Sequence, residues 1–157
     1  MNFRRAWIAP VYLAMVGLGL GLGLAVAEAN AAGRNKGDGL SGRWTWVGFE
    51  QAGIAAAADQ LKGWVMTVKN DHLAIEGPSR ARIEADFTLD TTSRPKGIDL
   101  AFFSNQTRGK TVAGIYEIRG ETLRICIPSA LAKGRPKDFA ATSANGCTLY
   151  VFARKRL

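Results

Sequence analysis

The chain has 157 residues, of which 47% are hydrophobic and 22% are charged, and its formal net charge is +8. This length corresponds to a single domain, and the ordinary apolar fraction excludes a disordered or collagen-like chain. With two cysteines and one histidine, the chain fits neither a disulfide-framework mini-protein nor a His-rich metal site. Nothing in this composition names a substrate or a reaction.

The N-terminal residues have the layout of an export signal. Two arginines precede residues 6–27, an uncharged apolar run, and small residues follow it. Ala27-Glu28-Ala29 fits a cleavage site, with Ala29-Asn30-Ala31 as a second option. We expect residues 1–29 to be removed as a signal peptide and the protein to work in the periplasm, the cell envelope or outside the cell. The alternative is an uncleaved membrane anchor, since the apolar run is long enough to span a bilayer.

Residues 30–39 contain three glycines and no bulky apolar side chain, which predicts a flexible linker. The folded domain is expected to span residues 40–157. Its charge stays basic without the signal peptide, and such a balance attracts acidic surfaces such as anionic lipid or envelope polymers. The basic residues are scattered and are not interleaved with aromatic ones, so nucleic acid is not expected as a partner.

From residue 40 onward, apolar and polar residues alternate, and turn-forming residues interrupt the pattern every 8 to 15 positions. A period of two is typical of antiparallel strands with one buried face. Asn70-Asp71 and Arg119-Gly120 predict two tight hairpins. Eight strands are predicted, over residues 42–50, 63–69, 72–77, 81–89, 97–103, 110–118, 121–127 and 147–154.

Two segments break this pattern. Residues 54–61, with a run of four alanines, favour a short helix or lid, and residues 128–146 form one long connection. Sequential short hairpins favour a closed barrel over the alternative, a two-sheet sandwich. The expected fold is an all-β, eight-stranded antiparallel up-and-down barrel with one short helix or lid.

A barrel of eight strands has an interior that side chains fill or that holds one small ligand. The residues expected to point inward are bulky, and in the last strand they are Leu149 and Val151; space is expected mainly at Ala85 and Gly114. A bound ligand would be lined by Trp46, Trp64, Met66, Phe102 and Tyr116.

Several short motifs occur in a fixed order along the chain. They are Gly42-x-Trp44, Pro95-Lys96-Gly97-Ile98-Asp99-Leu100, Gly114-Ile115-Tyr116-Glu117-Ile118, Thr122-Leu123-Arg124-Ile125-Cys126, Arg135-Pro136-x-x-Phe139 and Arg154. This set resembles a family of exported, lipocalin-like domains of unknown function found mainly in planctomycete-type bacteria, over nearly all of residues 40–154.

The resemblance implies a lipocalin-like (calycin) barrel and an envelope location. In such barrels the tryptophan of the G-x-W motif, here Trp44, closes the bottom, and an arginine near the chain end, here Arg154, lies across it in a cation-π contact. The family has no established activity, so the resemblance implies no catalytic residue and no cofactor. The chain departs from the family pattern at residues 55–58, where alanines replace a more polar stretch, and at Cys147.

Asp99 lies among apolar neighbours, where a carboxylate is costly unless it is paired. Arg135 or a pair of backbone amides is the expected partner, and a structural clamp is favoured over a catalytic acid because no second acid-base group is identifiable. His72 follows a turn, so we expect it to be exposed, with no ligand neighbour at metal spacing.

Cys126 and Cys147 would face each other if their strands paired with residue numbers summing to 273, and a disulfide would then be reachable. The facing pattern argues against it, because Cys126 alternates with Ile125 whereas Cys147 shares parity with the apolar Leu149. A bulge near residue 147 would reconcile the two patterns. The bonded and the free states both stay open.

No nucleophile, base or metal set can be assembled from the sequence, so we expect no enzymatic activity, no metal and no cofactor. Two functions remain. The first is binding of a small apolar or amphipathic molecule in the barrel. The second is a filled barrel that acts as an interaction or structural module for another envelope component.

Overall fold

The computed structural model describes residues 39–103, 109–128 and 134–155. The expected signal peptide, residues 1–29, and nearly all of the expected linker, residues 30–39, lie outside the described residues. In the described part, no helix is long and apolar enough to cross a membrane.

The described residues form one antiparallel sheet that closes on itself. The strand order is β2-β1-β3-β4-β5-β6-β7-β8-β9, and β1 also pairs with β9, which closes an eight-stranded barrel with β2 as a short addition. The barrel predicted from the sequence is therefore confirmed. The elements are β1 (Gly42–Gln51), β2 (Ile54–Ala55), α1 (Ala58–Leu61), β3 (Val65–Lys69), β4 (His72–Glu76), a 3₁₀ turn (Pro78–Arg80), β5 (Arg82–Asp90), β6 (Lys96–Phe102), β7 (Thr111–Arg119), β8 (Thr122–Pro128) and β9 (Cys147–Arg154).

The hairpins follow from residues that accept positive φ. Asn70, at φ 55°, forms the predicted two-residue turn with Asp71 between β3 and β4. The turn between β7 and β8 is Gly120-Glu121, one residue later than predicted, because Arg119 still pairs with Thr122 and Gly120, at φ 57°, takes the left-handed position.

A bulge in β1 determines which side chains in each half of the strand point into the barrel. The register with β9 shifts between Trp46 and Gly48, which leaves Val47 outside the wall and 50% exposed. Trp46 and Phe49 therefore both face the interior although they are three residues apart. A side chain at Gly48 would meet Val151 at 3.0 Å, so glycine keeps the two strands in contact at the bulge.

The interior is a dense apolar core, in which Trp44, Met66, Ile98 and Leu123 are each 0% exposed. The inward residues of β9 are Tyr150 and Phe152, so the expectation that Leu149 and Val151 point inward is wrong. Those two belong to a second apolar layer on the outer face of the wall. Its members are Ile115, Cys126, Ala141, Cys147 and Leu149, with Phe139 and Val151 packed against them.

The second layer exists because residues 134–146 fold back over the outside of β7, β8 and β9; we call this segment the strap. Ala141 of the strap is 1% exposed, and Phe139 lies under the Arg124 guanidinium at 4.7 Å. The strap packs on the outer face of β9, and the barrel core packs on its inner face. Alternation of apolar and polar residues therefore cannot reveal which face of β9 points inward.

The lower end of the barrel, where the turns 70–71 and 120–121 lie, is closed by Trp44 and Arg154. The Arg154 guanidinium carbon lies 4.1 Å from the centre of the Trp44 ring. Arg154 Nη1 donates to the Ser41 carbonyl at 3.1 Å, and Nη2 donates to the Gly39 carbonyl. The indole Nε1 donates to the Leu40 carbonyl at 2.8 Å, so the segment just before β1, β1 itself and the end of β9 meet at one point.

Arg154→Ala removes the cation-π contact, the hydrogen bonds to the Ser41 and Gly39 carbonyls and the ion pair with Glu121 at 3.7 Å. We expect the free energy of unfolding to fall by about 1 to 3 kcal/mol, measured by urea denaturation. Arg154→Lys keeps the charge but lacks the planar guanidinium, so its free energy of unfolding should fall by part of that amount. Lys155→Ala, one residue further along, is the control, and an equal loss in that variant would contradict the role given to Arg154.

Candidate functional site

The upper end of the barrel, opposite Trp44, is where the connections β1–β3, β4–β5, β6–β7 and β8–β9 leave the wall. Inward-facing apolar side chains near this end are only half-buried, in contrast to the fully buried centre. We call them the mouth ring, and they are Phe49, Ile83, Phe102, Val112 and Tyr150. Apolar side chains of this kind are the lining that small-molecule pockets typically use.

A short lid lies beside the mouth ring. α1 contributes Leu61, which is 6% exposed, and the turn after it contributes Trp64, which is 9% exposed. The Trp64 ring lies against the backbone of Gly77, where a Cβ atom would come within 2.6 Å of three indole carbons. Glycine at position 77 therefore lets the β4–β5 connection pass directly against the indole and hold it over the core.

Trp46 is the centre of an aromatic cluster inside this end. Its ring centre lies 5.3 Å from that of Trp64, 5.5 Å from that of Tyr150 and 5.9 Å from that of Phe152. Its Nε1 donates to the Gly48 carbonyl at 2.8 Å. The indole is thus only 6% exposed, and the cluster supports the wall beneath the mouth ring.

The structure divides the five residues expected to line a ligand. Trp46 and Trp64 pack on each other in the aromatic cluster, and Met66 is 0% exposed in the core. Phe102 lies in the mouth ring. The side chain of Tyr116 points from β7 into the barrel, and its cross-strand neighbours are Lys96 of β6 and Ile125 of β8.

Tyr116 is 1% exposed, and its hydroxyl oxygen has no hydrogen-bond partner. A buried polar atom left without a partner costs about 1 to 3 kcal/mol. Sequence alternation placed the ring inside the barrel, but the missing partner depends on what neighbouring strands bring near the oxygen. No local pattern could have revealed it.

The space expected at Gly114 is filled. Gly114 precedes Tyr116 on the inner face of β7, and a Cβ atom there would meet Ile127 Cγ2 at 2.8 Å and Ile98 Cγ2 at 3.4 Å. The space expected at Ala85 is also closed, since this residue is 0% exposed. Two isoleucine side chains and the Cys126 carbonyl oxygen, also 2.8 Å from that Cβ position, therefore fill the space beside Gly114.

The structure brings Asp99 and Arg135 together on the outer face. Arg135 Nη2 donates to Asp99 Oδ1 at 2.7 Å, while Nη1 donates to the carbonyl of Gly114 and, at 3.4 Å, to that of Ile98. Gly97 makes room for the guanidinium, because a Cβ atom there would lie 2.8 Å from Nη1. Arg135 thus fastens the strap to β6 and β7.

Asp99→Ala should lower the free energy of unfolding by about 1 kcal/mol, because both partners are about one-third exposed and water screens the pair. Asp99→Asn keeps an acceptor oxygen and should lose less. Thermal and urea unfolding of the three proteins measures the effect, and binding of any lumen ligand should stay unchanged because Asp99 is outside the barrel. Unchanged unfolding with abolished binding would contradict the clamp.

His72 has two carboxylate neighbours, which corrects the expectation that it has none. Its Nδ1 lies 2.9 Å from Asp86 Oδ1, and its Nε2 lies 3.4 Å from Glu84 Oε1. Arg82 Nη2 donates to the same Glu84 carboxylate at 2.7 Å, and this hydrogen bond lowers the pKa of Glu84.

The β4–β5 register, in which His72 opposes Asp86, creates this group on the outer surface. The two outward carboxylates of β5 were visible in the sequence, but their nearness to His72 depends on that register. Among residues 39–103, 109–128 and 134–155, no group of three His, Cys, Asp or Glu side chains is placed to hold a metal ion.

The two cysteines are free thiols, 0% and 5% exposed. Cys126 opposes Leu149, and Cys147 opposes Pro128, so the register that would place the cysteines directly opposite each other is wrong by two residues. The register also settles their facing: both belong to the outer apolar layer under the strap. Burial raises the pKa of Cys126 to about 12 and also raises that of Cys147.

Compared with known proteins, the chain matches no family model, no curated protein and no solved structure. What can be inferred about its function therefore comes from its own residues and their geometry.

Proposed function

We propose that the protein is an exported, non-enzymatic, lipocalin-like domain that binds a small amphipathic molecule in its barrel. The observation that carries this proposal is the Tyr116 hydroxyl, which is buried without a hydrogen-bond partner on a residue of the apolar core. Phenylalanine at this position would keep the ring and avoid the cost of the unpaired oxygen. A tyrosine held there at a cost to stability is typical of a site at which another molecule supplies the missing polar atom.

The ligand's route is from the upper end, because Trp44 and Arg154 close the lower one. Its apolar part contacts the mouth ring, and its polar group hydrogen-bonds to Tyr116. For this the side chains of Ile98 and Ile127, which lie over Gly114, change rotamer when the ligand enters. The ligand is therefore small, with one apolar chain or ring and one group that donates or accepts a hydrogen bond.

A second function, an interaction module with a filled barrel, is favoured by the packing of the core. The inward residues at the centre are 0% exposed, which is the packing of a barrel without a ligand. Its contact with another envelope component would use the outer surface, where Ile54 is 74% exposed, Val47 50% and Phe103 49%. The two functions predict different effects of a substitution inside the barrel on ligand binding.

Tyr116→Phe distinguishes them. The full chain is titrated with 1-decanol and with decanoic acid, and binding is followed by tryptophan fluorescence, since Trp46 and Trp64 lie beside the mouth ring. We expect saturable binding of at least one probe and about tenfold weaker binding by Tyr116→Phe, the loss of one hydrogen bond. The same substitution should raise the free energy of unfolding by about 1 kcal/mol.

Asp99→Asn is the control, because Asp99 lies on the outer face with Arg135, away from the mouth ring and from Tyr116. The affinity of this variant for the probe should stay close to that of the unchanged protein. Absence of binding to either probe, or equal affinity of Tyr116→Phe and the unchanged protein, would overturn the binding proposal. The first result would leave the filled-barrel module as the better explanation.

A further inference from the structure

We infer that Cys126 and Cys147 are a disulfide site, and that their oxidation locks the strap onto the outer wall of the barrel. The two residues lie on neighbouring strands, β8 and β9, and both belong to the same outer apolar layer. They are therefore diagonal neighbours on one face of an antiparallel pair.

The distance between diagonal neighbours is close to what a disulfide needs. Their Cα atoms are typically about 7 to 8 Å apart, and a disulfide usually spans about 4.4 to 6.8 Å. An approach of roughly 1 Å would therefore suffice.

The chain at Cys147 can supply this movement. Cys147 is the first residue of β9, it follows Gly146 at φ 60°, and it opposes Pro128. Proline has no N–H to donate to the ladder. The movement is thus confined to a strand end that is held less firmly than the strand interior.

Both sulfur atoms point into the layer between the wall and the strap. Cys126 Sγ lies 3.9 Å from the carbonyl oxygen of Ala140, and Cys147 Sγ lies 3.5 Å from that of Asn145. Each thiol thus makes a weak bond to a strap carbonyl, and the two thiols also hydrogen-bond to each other. A bond between the two sulfur atoms would tie together the two residues that flank the segment carrying those carbonyls.

The strap in turn holds other parts of the barrel, so locking it has consequences beyond the two strands. Arg135 fastens it to β6 and β7, and the Ala141 carbonyl accepts a hydrogen bond of 2.5 Å from the Gly53 amide, in the turn between β1 and β2. A locked strap would therefore also restrain the β1–β2 turn, from which the chain leads through β2 into α1.

The chemistry is thiol–disulfide exchange with a small-molecule or protein disulfide as oxidant. One cysteine thiolate attacks the oxidant and forms a mixed disulfide with release of one thiol. The second cysteine thiolate then attacks the mixed disulfide and releases the second thiol. Two cysteine protons and two electrons leave the protein, and one oxidant disulfide is reduced to two thiols.

Burial determines when this exchange takes place. The thiolate is the attacking species, and a buried, protonated thiol reacts slowly. The folded, reduced protein should therefore resist oxidation, and the bond should form while the strap is still open during folding.

The test is refolding of the full chain in the presence of oxidised glutathione, followed by denaturation, alkylation with N-ethylmaleimide and mass measurement. We expect no alkyl adduct after oxidative refolding, two adducts after refolding with reductant, and a Cys126–Cys147 linked peptide. The melting temperature of the oxidised form should be higher by about 10 °C, from closure of a loop of roughly 20 residues.

Variants separate the disulfide from other effects of oxidation. Cys147→Ser should show the same melting temperature after both refolding conditions. Cys147→Ser combined with Leu149→Cys places a thiol directly opposite Cys126 and is the positive control for bond formation between these strands. Two adducts on the oxidatively refolded protein, glutathione mixed disulfides alone, or only intermolecular dimers would each overturn the inference, whatever the outcome of the ligand titration.

Discussion

The pairing of the first strand with the last is the constraint on which the rest of this structure depends. β1 pairs with β3 through its first four residues and with β9 from Trp44 to Gln51, so the barrel wall has no free edge. Closure gives every strand an inside and an outside, and only then can eight short strands share one core. Arg154, the last residue of β9, lies over Trp44 near the start of β1, so the contact that seals the lower end also joins the two strands that close the sheet.

The wall carries apolar layers on both of its faces along β7, β8 and β9. The inner layer is the barrel core, and the outer layer is covered by the strap. Because the strap hydrogen-bonds to β6 and β7 through Arg135 and to the β1–β2 turn through Ala141, it links the outer wall to the upper end. The cysteines lie in the layer that this link covers, and Tyr116 lies on the opposite face of the same wall.

Residue-level reasoning identified several parts of the candidate site and missed others. Two long-range contacts were expected, and both are present in the structure. Arg135 with Asp99 was argued from the cost of an unpaired carboxylate among apolar neighbours, whereas Arg154 on Trp44 was implied by the resemblance of the sequence motifs. The unpaired Tyr116 hydroxyl and the carboxylates around His72 were not foreseen. Both depend on cross-strand register, which a single strand does not encode.

Local sequence was sufficient for the strands of the barrel, for the hairpin turns to within one residue, for the short helix and for the sequential order that favoured a barrel. These features follow from side-chain alternation and from residues that accept positive φ, and both act over a few positions. The register of β8 against β9 and the inward face of β9 were set by tertiary contacts. The connection of 18 residues between β8 and β9 is too long to fix their register. Because β9 is covered by protein on both faces, neither face is polar, and the sequence does not show which face points into the barrel.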